Sequence, residues 1–127
     1  MVSLSQIIMS YSISMRVRVH NTNCYVSLPI TDANTTWNLK QMIQKSTGLE
    51  WKNNQDNGYA YRIIPKIQKG FNELTTHPER YKQYEAENGW ETVEQCRNFF
   101  EWILKDWNSF IEGNNPEIIK KIKFWII

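Results

Sequence analysis

Lys120, Lys121 and Lys123 run into Trp125 near the end of the 127-residue chain. Such a basic and aromatic grouping can hold phosphates while a base stacks on the ring; the plainer reading is an edge strand guarded by lysines. A second group, Tyr59, Tyr61, Arg62, Lys66 and Lys69, opens an amphipathic helix. Free N–H groups there suit an anion and tyrosine faces suit a base; the alternative is tyrosines packed where the helix begins. Glu85, Glu87, Glu91 and Glu94 crowd around Asn88, which could support acid–base chemistry, although solvated charge near a helix N-terminus explains them as well. His20 and His77 have no second ligand at motif spacing, so no metal signature stands in the chain. No glycine-rich phosphate loop occurs, and the single glycines fit turns and caps. No cofactor is implied, and binding is favoured over catalysis.

Composition narrows the field further. The length fits a single domain over residues 1–127, and 41% hydrophobic residues supply a core. A net charge of +2 is small for a dedicated nucleic-acid protein. Six Trp and six Tyr exceed what such a core needs, which puts some aromatic faces at a surface or interface. No apolar run approaches the roughly 20 residues of a membrane span. Cys24 and Cys96 lack metal or redox spacing; Cys96 lies on an apolar stripe and reads as a small core residue, with reduced thiols favoured over a disulfide.

These residues must be positioned by two helices. Ala60, Ile63, Ile64, Ile67, Phe71 and Leu74 share one helical face, and Pro65 argues for a regular start near Ile63. The second helix opens with a Thr92–Gln95 capping box, buries Val93, Cys96, Phe99, Phe100, Ile103, Trp107 and Phe110, and stops at Gly113. Trp90 is expected to staple its first turns. Residues 9–19 alternate, predicting a strand with Tyr11, Ile13 and Met15 inside; residues 1–14 read alternatively as an upstream extension to a start at Met15. Residues 24–28 return as a hairpin strand, and Trp37, Leu39, Met42 and Ile43 form a short helix closed by Gly48. Residues 52–58 read as an exposed loop flanked by Trp51 and Tyr59. A short helical turn follows Pro78. Residues 118–127 read as a final strand paired with the N-terminal one, with Trp125 and Ile127 on its solvent side. The predicted class is α+β: a small antiparallel sheet from the N-terminal strands and the C-terminal strand, packed against two main helices.

His20–Asn21, Ile64–Pro65, Pro78 with Tyr81, and Asn88–Gly89–Trp90 together resemble a group of small uncharacterised phage and prophage proteins. That pattern has an "H-N" near the end of a first strand, an "I-P" early in a helix, a "P-x-x-Y/F" turn and an "N-G-W-G" loop before a second helix. The resemblance covers the last two thirds of the chain. It departs at Glu91, where the second glycine is missing, and residues 24–57 are longer than the pattern. It implies a phage or mobile-element accessory protein in the cytoplasm of a bacterial host.

The leading expectation is a non-enzymatic inhibitor that blocks a host protein, with an anti-defence role. Two alternatives are a sponge for a nucleotide signal, acting through the helix start at Tyr59, Tyr61, Arg62, Lys66 and Lys69 or through the loop at Asn88 and Trp90, and a weak nucleic-acid module using Lys120, Lys121, Lys123 and Trp125. Homo-oligomerisation through the C-terminal strand is a further expectation.

Overall fold

Period-two alternation makes Ser10–Arg18 a nine-residue strand, β1, with Tyr11, Ile13 and Met15 buried and Ser12, Ser14 and Arg16 on the opposite face. This computed structural model describes residues 10–30, 33–86, 89 and 91–127. Residues 10–14, grouped from the sequence with an upstream extension, are thus the first half of a central strand. Asn21, at φ 60°, helps turn the chain back into β2 (Tyr25–Ser27). An excursion beginning at Pro29 interrupts the return, which resumes as β3 (Asn34–Thr36) where only capping residues were expected. Ile13 donates its N–H to the Ala33 carbonyl at 2.9 Å, and Leu28 donates to Met15 at 2.8 Å, so β2 and β3 share one edge of β1.

The opposite edge of β1 takes the C-terminal strand β5 (Lys123–Ile126), antiparallel, with Ile13 opposite Ile126 and Met15 opposite Phe124. β5 is not an edge. Its far side pairs with β4 (Gln55–Tyr59), giving the order β2–β1–β5–β4 in a five-stranded sheet. The segment expected to be an exposed loop is therefore partly a strand. No apolar alternation announces β4; Asn57 closes its turn instead, donating to the Lys52 and Gln55 carbonyls and accepting from the Lys52 N–H. A self-pairing contact through the C-terminal strand has no free edge to use, because both sides are occupied.

One face of the sheet is covered by helices. A single 3₁₀ turn from Trp37 leads into α1 (Lys40–Thr47), ended by Gly48 in the left-handed conformation. α2 spans Ala60–Thr76 and begins directly from β4, three residues earlier than Pro65 suggested. The Ala60 N–H is taken by the Ile122 carbonyl at 2.8 Å, so the sheet itself starts the helix and Pro65 falls within its second turn. α3 (Val93–Glu112) carries the expected capping box and stripe, with Leu104 added to the buried set and Phe110 only half-buried. A short helical turn, α4 (Pro116–Ile119), precedes β5, so the final strand is briefer than residues 118–127. Cys96 is a buried free thiol, its pKa pushed up by burial, while Cys24 is exposed; the two are unpaired.

Trp51, at the entrance to the turn before β4, stands at the centre of the core. It is 1% exposed and meets Tyr11, Phe99 and Phe124 edge-on at ring separations of 6.1, 6.3 and 5.9 Å. Burial also pushes the Tyr11 hydroxyl pKa up to about 12, with Asn53 pulling the other way. Gly70 is the other departure: it lies inside α2, where a Cβ would meet Thr47 Cγ2 at 2.7 Å and the Phe100 ring at 2.8 Å.

Candidate sheet-face binding site

The face of the sheet turned away from these helices carries a continuous run of aromatic rings and cations. Tyr25 of β2 leans across β1 to Trp125 of β5, with ring centroids 5.8 Å apart. Arg16 lies over Trp125, its guanidinium carbon 4.6 Å from the ring centroid. Lys123 Nζ sits 3.8 Å from the centroid of Tyr59 and 3.3 Å from an Asp56 carboxylate oxygen. The Arg62 guanidinium completes the run between Tyr59 and Tyr61, at 5.7 and 5.4 Å, with the two rings 5.8 Å apart. Contacts of this kind are each worth about 0.5–1 kcal/mol when exposed.

Local structure explains the convergence. Asp56 and Tyr59 face Trp125 and Lys123 because a one-residue bulge separates them. Gly58 accommodates it at φ 121°, and Asp56 Oδ1 accepts from the Gly58 N–H at 2.7 Å. On β1, Arg16 Nε donates to Ser14 Oγ at 3.1 Å, and that hydroxyl lies 3.0 Å from Ser27 Oγ. Arg16 is thereby held over Trp125, whose indole Nε1 is buried without a hydrogen-bond partner among the described residues.

Of the residues nominated from the sequence, the fold brings Tyr59, Tyr61, Arg62, Lys123 and Trp125 into one surface. Two groups about sixty residues apart in the chain thus become one. Lys66 and Lys121 are exposed but lie outside the run. Asn88, Trp90 and Glu87, and with them the Trp90 staple, lie outside the described residues. Sequence reasoning missed Arg16, Tyr25 and Asp56. The alternation of β1 does put Arg16 on the polar side, but only the strand order shows that Trp125 is its neighbour.

No family model, curated protein or solved structure matches the chain. The site is therefore read from its own geometry.

Two of the carboxylates considered for acid–base work, Glu85 and Glu91, are engaged in local structure. Glu85 Oε2 accepts the Val93 N–H at 2.7 Å, adding a second cap to α3 beside the Thr92–Gln95 pair. Glu91 accepts from Asn38 Nδ2 at 2.8 Å while its backbone sits at φ 57°. This is a left-handed conformation, which a glycine adopts without strain. Replacing Glu91 with glycine is expected to leave the protein about 1 kcal/mol more stable than replacing it with alanine, since both lose the Asn38 bond and only glycine relieves the backbone. Urea unfolding of the two variants checks this; equal midpoints would contradict it. Among the described residues no cluster of His, Cys, Asp and Glu could hold a metal ion, and no helix is long and apolar enough to cross a membrane.

Proposed function

We propose that this chain is a non-enzymatic binding protein whose working surface is the open face of the sheet. One observation carries the reading: Tyr25, Trp125, Arg16, Lys123, Tyr59 and Arg62 come from four strands and a helix to form an uninterrupted aromatic–cation surface that no core requires. Large aromatic and guanidinium groups are the side chains that dominate binding energy when covered. The phage setting implied by the Asn88–Gly89–Trp90 pattern belongs to the proposal, and it makes the target a host component.

The test compares affinity capture by wild type, by Arg16→Ala/Tyr25→Ala, and by Trp102→Ala on the exposed side of α3. Co-eluting proteins, nucleic acids and small molecules are all analysed. Loss of the captured component from the face variant alone, at unchanged melting temperature, is expected. Identical capture by wild type and face variant would overturn the assignment.

A further inference from the structure

Resting on that assignment of the face, we propose that its ligand is single-stranded nucleic acid, bound as a base–phosphate–base unit with the phosphate between Arg16 and Lys123.

Arg16 and Lys123 are directly opposed across β1 and β5. Like charges in that position repel, and here each is turned aside, Arg16 onto Trp125 and Lys123 toward Asp56 and Tyr59. A phosphodiester between them replaces this repulsion with two charge-assisted hydrogen bonds. Next to each cation stands a stacking surface: Trp125 with Tyr25 beside Arg16, and Tyr59 with Tyr61 beside Lys123. When Arg16 swings to the phosphate, it uncovers the Trp125 ring for a base. The neighbouring floor of β1 is low and polar: Ser12 Oγ accepts from Asn34, and Ser14 Oγ gives up its bond to Arg16 when that side chain moves.

Charge distribution points the same way. The described strand residues of this face and the first turn of α2 carry four cations (Arg16, Arg18, Lys123 and Arg62) and one carboxylate, Asp56, in a chain whose whole net charge is +2. The positive charge is gathered on the face. The spread of exposed rings, Tyr25 at one end and Tyr59 and Tyr61 at the other, favours a strand over a free nucleotide, because small ligands bind in concave sites that bury most of their surface. A polymer lying along the run gains by adding contacts, and base stacking on aromatics is worth about 1–3 kcal/mol per base. Duplex is excluded because its bases are already stacked and their faces closed.

The experiment is an anisotropy titration of purified full-length protein with a labelled oligothymidine of roughly 12 nucleotides. The same strand annealed to its complement is titrated in parallel, and melting temperatures are measured with linear and cyclic dinucleotides. Binding to the single strand is expected to weaken with salt at a log–log slope of about −2, for about three phosphates. Arg16→Gln and Lys123→Gln should each weaken it roughly tenfold and flatten the slope by about 0.7. Asp56→Asn keeps the acceptor for the Gly58 N–H and frees Lys123, so it should tighten binding roughly threefold. That gain is one a misfolded variant cannot produce. Equal affinity for duplex, a salt-independent constant, or no response to Asp56→Asn would overturn the proposal. So would a melting shift with cyclic dinucleotide and none with the oligomer, or a protein captured through the face by a chain that ignores the strand. In those last two cases the face keeps its binding role; if nothing at all depends on the face, both readings fall.

Discussion

Replacing Trp51 with alanine is expected to cost about 3–5 kcal/mol, enough to unfold much of the protein at 37 °C. Trp51 is among the largest fully buried side chains, and its three edge-on neighbours come from different parts of the fold: Tyr11 from β1, Phe124 from β5 and Phe99 from α3. Removing the indole therefore opens a cavity between sheet and helices that no single element can close by shifting. Trp51→Phe makes a useful contrast. The Nε1 of Trp51 is buried without a hydrogen-bond partner among the described residues, so phenylalanine discards a polar group that contributes nothing and keeps much of the ring contact. Urea unfolding should place the phenylalanine variant well above alanine. Similar midpoints for the two would show that the cavity closes and that Trp51 is not the hub of the core.

Gly70→Ala is expected to destabilise the protein by about 2 kcal/mol, although alanine is the better helix former. In an unencumbered helix the exchange would stabilise by up to about 1 kcal/mol. Here the added methyl would lie 2.7 Å from Thr47 Cγ2 and 2.8 Å from the Phe100 ring, where α1, α2 and α3 meet. Neither neighbour can yield easily. Thr47 is fixed by its hydroxyl, which donates to the Ile43 carbonyl at 2.7 Å and accepts from the Leu49 N–H at 3.1 Å, and Phe100 is fully buried. Overpacking of this kind costs about 1–3 kcal/mol and sometimes more, which outweighs the propensity gain. Thermal unfolding decides the sign: a raised melting temperature would mean that the helices separate without loss.

Both effects arise where side chains distant in sequence meet, and the same holds for the sheet face. Arg16→Gln acts on Trp125, more than a hundred residues further along the chain. The like-charged pair of Arg16 and Lys123 violates an ordinary rule of cross-strand pairing without adding to the core. Sites of binding are where such local violations are expected. The cations are kept apart by specific partners, Ser14 for Arg16 and Asp56 for Lys123, so the conflict is held in a defined geometry.

The sequence by itself determined what depends on local period and local chemistry. The alternation of residues 9–19 specifies β1 and its buried face, the helical stripe specifies α2 and α3, Thr92 and Gln95 specify where α3 begins, and the α+β class follows from their combination. Tyr59, Tyr61, Arg62, Lys123 and Trp125 could be picked out as chemically able to bind, but as two separate groups. Only the tertiary structure decided that β5 lies between β1 and β4, that the polar segment Gln55–Tyr59 is a strand, that Trp51 is central, and that Gly70 marks a helix crossing. The physical reason is the same in each case. Strand order, register and close helix contact are set by which distant surfaces bury most apolar area while pairing every backbone group, and no window of neighbouring residues contains that information.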